Sequence, residues 1–225
     1  MNRSLALIFV LAAAPAFAQW PTAGKPAETP PTPPSRRAAA APARDDGSGF
    51  SLGIRAAWAF PYGDVNGHAN LQDNVRDQVP LWLEAGYRFS KSIYAGLYGQ
   101  ITPGRANNCP IGADCSTSGY RFGIEGIYTL LPDAALQPWV GVGVGYEILN
   151  FSRAGEETTV KGLELAHVEL GADWAASKNF SLGPYASYSL FGKYTSTSVN
   201  GVSNDVSDTA GHSWLQVGLK ATYKF

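Results

Sequence analysis

From Gly49 onward apolar residues recur at every second position, segment after segment. In "FSLGIRAAWAF", Phe50, Leu52, Ile54, Ala56, Trp58 and Phe60 share one face, and Ser51, Gly53, Arg55, Ala57 and Ala59 share the other. This is the two-residue period of a β-strand. Seven more segments repeat it, at 79–89, 93–102, 119–130, 139–150, 163–174, 180–190 and 213–225. The pattern predicts an all-β, eight-stranded antiparallel up-and-down barrel. The connections alternate too. Those at 90–92, 131–137 and 177–179 are short, whereas 61–78, 103–118, 151–162 and 191–212 are long and polar. An even strand number places both chain ends at the short-turn end.

A meander of this size closes either with its apolar face inward, as a soluble lipocalin-like carrier, or with that face outward, in a bilayer. The distribution of aromatics favours the bilayer. On the apolar face, Phe50, Tyr87, Phe89, Tyr128, Trp174, Phe180, Tyr223 and Phe225 lie toward the short turns, and Trp58, Phe60, Tyr120, Phe122, Tyr146 and Tyr188 toward the long loops. Between them come aliphatic residues such as Ile54, Leu83, Leu97, Ile124, Val142 and Leu170. Two aromatic girdles around an aliphatic band are what a membrane with two interfaces selects.

The run "VGVGVGYEIL", 140–149, carries Gly141, Gly143 and Gly145. No helix pattern and no GxxxxGK[ST] spacing accompanies these glycines, so they are not a phosphate loop. On the alternation they point inward, where a small barrel has little room, and bulky inward residues such as Tyr94, Tyr98 and Tyr185 are expected to use the space. Pro184 in "SLGPYASY" lies mid-strand, where a closed sheet has no donor to spare. A bulge at Gly183 and Pro184 is the expected remedy.

The segment before the barrel differs in kind. Arg3, the apolar run 5–14 and the small-x-small "AFA" at 16–18 predict a signal peptide over residues 1–18. Residues 19–48 hold prolines at 21, 26, 30, 31, 33, 34 and 42 with little to bury, which predicts a disordered periplasmic linker. The barrel domain is 49–225. The formal net charge of −1 gives no electrostatic reason to expect nucleic acid.

The C-terminal "LKATYKF", with Leu219, Ala221, Tyr223 and Phe225 alternating to a terminal aromatic, resembles the last strand of bacterial outer-membrane proteins. Residues 49–225 as a whole resemble the small barrel family of the OmpA transmembrane domain, OmpX, OmpW and Ail. The resemblance implies residence in the outer membrane of a Gram-negative bacterium. It implies periplasmic termini, extracellular long loops, and recognition of residues 219–225 by the barrel assembly machinery. It also implies surface contact with an extracellular or periplasmic protein partner, as in the OmpX and Ail group, or a narrow porin-like path for ions or small hydrophobic molecules, as in OmpW. A monomer surrounded by outer-membrane lipid is expected. The peptidoglycan-binding domain that follows the barrel in OmpA is not expected after Phe225, and the Pro-rich linker before the barrel departs from that pattern.

The inward row collects Arg55, Glu84, Arg88, Arg121, Glu125, Glu147, His167, Glu169, Asp173 and Lys220. Unpaired charge in a narrow lumen is costly, so a salt-bridged interior filled by side chains is expected, with a gated polar path as the alternative. His167, Glu169 and Asp173 with Ser187 and Ser189 could be read as a hydrolase triad. Barrel enzymes that trim lipid A are similar in architecture, but their His-x-Ser-Asn type of motif is missing. Neither catalysis nor a cofactor is expected. Cys109 and Cys115 share one loop, and in an exported chain they are expected to form a disulfide. They make no convincing zinc site, because His68 and His212 belong to other loops. "DVNG" at 64–67, with Asp73, Asp77, Asn204, Asp205 and Asp208 elsewhere in the loops, lacks the remaining ligands of a calcium loop, and no metal is expected.

Overall fold

In the computed structural model, residues 46–225 are described apart from 67, 68, 108, 113 and 207–209. The expected signal peptide, nearly all of the linker, His68 and Asp208 lie outside the described residues. The described chain is a closed antiparallel sheet. In chain order the strands are β1 (Gly49–Asn66), β2 (Ala69–Asn70), β3 (Val75–Gln78), β4 (Leu81–Arg88), β5 (Ile93–Ala106), β6 (Cys115–Thr129), β7 (Leu136–Arg153), β8 (Glu156–Ala175), β9 (Phe180–Val199), β10 (Val202–Asp205) and β11 (Gly211–Lys224). One short helical turn, α1 (Leu71–Asn74), lies between β2 and β3.

Eight strand positions complete the ring, with β3 and β4 together occupying the second. Closure runs through β1 and β11, paired from Ser51↔Lys224 to Gly63↔His212. At that seam the Phe225 backbone N–H donates to the Phe50 carbonyl at 2.9 Å. The closed ring leaves no ladder edge for hydrocarbon to meet, which is the condition for spanning a bilayer with strands.

Every second residue faces outward, and the outward set is apolar. Ile54, Leu83, Leu97, Ile124, Val142, Leu170 and Leu219 are exposed along the middle of the wall. The short-turn girdle packs ring against ring, with Phe50–Tyr87 and Tyr87–Phe89 both edge-on at 5.3 Å. Phe122 and Tyr146 pair at 5.7 Å in the upper girdle. The height from Phe50 to Phe60, ten residues of tilted strand, is roughly 25 Å, the thickness of an outer-membrane hydrocarbon layer. An inward apolar face, the lipocalin alternative, is excluded by the buried charges described below.

Two apolar layers lie in the lumen. Toward the short turns Ala57, Tyr94, Ile127, Trp139 and Tyr185 pack together. Toward the long loops Ala59, Leu71, Val75, Leu149, Val160, Tyr194 and Trp214 do the same. Leu71 on α1 and Val75 on β3 are fully buried. The first long connection, expected to be a polar loop, thus folds back and caps the barrel with its own apolar residues.

The strands also run farther than the alternation suggested. At the loop end β7, β8, β9 and β10 continue as hairpins beyond the girdle. Ala154 and Gly155 turn β7 into β8 with φ of 52° and 89°, and Asn200 and Gly201 turn β9 into β10 with φ of 48° and 85°. Two successive left-handed residues are what a two-residue hairpin turn requires, and Asn-Gly is its preferred sequence.

Pro184 needs no bulge. Its register with β11 is continuous through Leu219↔Pro184 and Lys220↔Gly183. On the β8 side, Gly171↔Tyr185 and Trp174↔Leu182 keep one register on either side of it. The missing donor is accommodated where the β8–β9 ladder lapses between those pairs.

Cys109 and Cys115 are disulfide-bonded, Cα to Cα 5.9 Å. The bridge closes a six-residue separation at the base of the second long loop, so it constrains that loop and not the ring. Replacing both cysteines by serine should lower stability in urea by no more than about 2 kcal/mol. Limited proteolysis should show new cuts between residues 107 and 114.

Candidate functional site: the barrel interior

Arg55 on β1 organises the lower half of the lumen. Its Nε donates to Glu84 Oε2 at 2.7 Å, and Nη2 also meets that carboxylate. Nη1 donates to Glu169 at 2.7 Å, and Nη2 to Glu125 at 2.9 and 3.0 Å. The three glutamates reach it from β4, β6 and β8, so one guanidinium ties together strands on opposite walls. The Trp82 ring lies 4.5 Å from Cζ and Tyr185 lies 5.3 Å away, covering the cation with aromatic faces. Lys220 on β11 completes the cluster, with Nζ 2.9 Å from Glu84 Oε1 and 4.7 Å from the Trp139 ring.

A second cluster fills the upper half. Arg121 on β6 pairs with Glu147 at 3.2 Å and Glu164 at 3.1 Å. Glu147 accepts further hydrogen bonds from Tyr194 Oη and Trp214 Nε1, both at 3.0 Å. His212 Nε2 lies 3.3 Å from Glu147, and its ring stacks on Tyr194 at 4.0 Å. Glu164 also accepts from Tyr98 Oη at 3.1 Å. His167 lies between the clusters, with Nδ1 3.2 Å from Glu164 and Nε2 3.8 Å from Glu169.

The remaining inward charges lie lower. Asp173 accepts from Trp139 Nε1 at 2.8 Å and Ser181 Oγ at 3.4 Å. Arg88 is buried, and its Nε has no hydrogen-bond partner. It borders a depression of 460 Å³ at the short-turn end that Lys91, Lys178 and Lys224 also line. In the upper lumen, the void bounded by Gln78, Gln100, Arg121, Glu147, Trp214 and Gln216 holds about 10 Å³, room for one water at most.

The glycine row explains how so many side chains fit. A Cβ on Gly143 would run into the His167 ring, one on Gly145 into the Tyr98 hydroxyl, and one on Gly141 would come within 3.0 Å of Glu169 Oε2. Tyr98 thus uses the space over Gly145, while His167 and Glu169, not tyrosines, occupy the other two. Tyr94 lies over Gly86 and Gly96 instead.

No protein-family model matches the sequence, and no curated protein matches it. Among solved structures, Neisserial surface protein A is similar over 80% of this chain and 99% of its own, at 16% identity and a TM-score of 0.56. The fold is that of a small outer-membrane β-barrel. A major outer membrane protein from Thermus thermophilus is similar over 80% of this chain and 100% of its own, at 12% identity and a TM-score of 0.48. OprG from Pseudomonas aeruginosa is similar over 79% and 98%, at 14% identity and 0.47.

Within this outer-membrane barrel fold, strict alternation missed several lumen residues. Glu164 faces inward, as does His167 three residues later, while Leu163 and Leu165 both face out. A β-bulge makes this possible. The pairs Gly143↔His167 and Gly145↔Glu164 bracket a one-residue shift between β7 and β8. Strand β9 takes up the same extra residue against β11, where His212↔Gly192 gives way to Leu215↔Tyr188. The trace in the sequence is the spacing of Leu163, Leu165, Val168 and Leu170, which breaks the period of two once. His212 and Tyr194, placed in a loop by the alternation, lie on the extended strands and point into the lumen.

The triad reading finds no geometry. Ser189 Oγ accepts from the Trp214 backbone N–H at 2.8 Å, and no hydrogen bond links Ser187 or Ser189 to His167 among the described residues. Leu219, Tyr223 and Phe225 face outward, with the Tyr223 and Phe225 rings 5.0 Å apart, and Ala221 is half-buried beside them.

Removing Arg55 would leave Glu125 and Glu169 without their guanidinium partner and Glu84 with Lys220 alone, so Arg55→Ala should cost about 3–5 kcal/mol, read as a lower midpoint in urea unfolding of the detergent-folded barrel. For the bulge, a bimane probe on Leu163→Cys or Leu165→Cys should be quenched by brominated lipid. Glu164→Cys in the folded barrel should resist labelling.

Proposed function

We propose that this chain is an integral protein of the outer membrane in which a closed barrel serves as an anchor and the loop-end hairpins make contact with partners. The observation that carries this reading is the packed lumen. Two apolar layers bound a charge network whose members pair across the barrel, a filling that argues against a continuous wet path for an ion. Breaking such a network to open a pore would expose buried charges of both signs, which is costly.

In this reading the short turns and termini face the periplasm and the long loops face outward. Beyond the upper girdle, Val202–Asp205 on β10 is exposed throughout and β8 begins with two exposed glutamates, Glu156 and Glu157. Polar, hydrogen-bonded hairpins of this kind offer an extracellular protein a preformed edge and face. The outward row ending in Tyr223 and Phe225 is the recognition element for the assembly machinery. The barrel acts as a monomer, without catalysis or nucleic acid. The depression at Arg88 favours the second reading, a narrow path for ions or small hydrophobic molecules that opens from the periplasmic side.

Conductance in a planar bilayer separates the two. The refolded, disulfide-intact barrel should be silent, and an Arg55→Ala, Glu125→Ala double variant should show intermittent openings. Steady wild-type conductance altered by those substitutions would make transport the function.

A further inference from the structure

Side chains from two non-neighbouring strands converge over the glycines of β7. Gly143 pairs with Glu125 of β6 on one side and with His167 of β8 on the other, and Gly141 pairs with Glu169. With no Cβ between them, the flanking side chains lean toward one another across β7. One ligand atom from each of Glu125, His167 and Glu169 lies within 4.8 Å of the other two.

Two of these groups are unsatisfied. His167 Nε2 and Glu169 Oε2 have no hydrogen-bond partner, on side chains 1% and 0% exposed. Buried polar atoms left unpaired cost stability and call for an explanation. The other imidazole nitrogen supplies half of it. With the proton on Nδ1 and donated to Glu164, at 3.2 Å, Nε2 presents its lone pair to the cluster. A carboxylate behind a histidine is the arrangement that orients and strengthens a metal ligand. Trp82 and Tyr98 stand edge-on to the ring at 5.7 and 5.4 Å and fix its plane.

Charge supplies the other half. The buried lumen holds six carboxylates (Glu84, Glu125, Glu147, Glu164, Glu169, Asp173) against four cations (Arg55, Arg88, Arg121, Lys220) and two histidines. Among the described residues, the carboxylates thus outnumber the arginines and lysine by two, an excess that a divalent cation would offset. We infer that Glu125, His167 and Glu169 bind a divalent transition-metal ion inside the barrel. One imidazole nitrogen and two carboxylates are a donor set for zinc or manganese. Glu164 is the positioning residue behind His167, and Arg55 hydrogen-bonds both ligand carboxylates. The site rests on the interior of the barrel and stands whether or not the lumen conducts.

The test loads the ion during folding, before the lumen closes. The full mature chain is refolded from urea into detergent with Zn²⁺ and desalted, and zinc is measured by atomic absorption. Folded protein is scored separately by heat-modifiable migration. Wild type and His212→Gln should retain about one zinc per barrel, and His167→Gln and the shape-preserving Glu169→Gln should each retain at least about tenfold less. Zinc should raise the melting midpoint of wild type and leave that of His167→Gln unmoved. A folded wild type that retains no zinc overturns the proposal. Equal retention by folded wild type and His167→Gln overturns it as well. Should His167→Gln fail to fold, Glu169→Gln decides.

Discussion

A guanidinium buried inside a hydrocarbon-wrapped cylinder has to find all of its compensation within the cylinder. Arg55 finds it in Glu84, Glu125 and Glu169, which come from three other strands. The diameter that eight strands and their stagger impose is one that these side chains can span. A wider ring would separate the partners, and a narrower one could not hold them. The aromatic rings of Trp82, Trp139 and Tyr185 fill what the ions leave. Polar pairing and apolar sealing depend on each other here, because a network open to water would lose the low dielectric that makes its bonds strong.

The glycine row on β7 is the counterpart of that packing. A barrel of eight strands has room for side chains from only part of its wall. Strand β7 contributes backbone at Gly141, Gly143 and Gly145 so that β6 and β8 can contribute long acids and an imidazole. Gly171 does the same for Trp139 lower down. Small residues on one strand and large ones on its neighbours thus partition a fixed volume.

Much of this was legible from alternation alone. The eight ring positions, the outward belt and the inward charges of β1, β4 and β6 follow from a period of two, because each of those strands keeps its register through the membrane. The rest was hidden for identifiable reasons. Glu164 is missing from the inward row because a bulge costs one residue of phase, and a phase error flips every side chain beyond it. His212 and Tyr194 meet Glu147 only because the strands continue past the girdle, where composition turns polar and reads as loop. The partners of Arg55 could be shortlisted as inward acids, but which three it holds depends on closure across the barrel, and that is not written in any local pattern. Pro184 looked like a defect from one strand's sequence and proved harmless because its missing donor coincides with a lapse in the neighbouring ladder.

The upper apolar layer takes Leu71 and Val75 from the first long connection, Val160 from the third and Tyr194 from the fourth. Exposed hairpins of a surface protein can change sequence freely when antibodies or phage select against them. A connection whose side chains complete the hydrophobic core cannot, because each change there is paid in stability. The loop end thus has fixed parts beside more variable ones, and a binder raised against the fixed parts would be the harder one to escape.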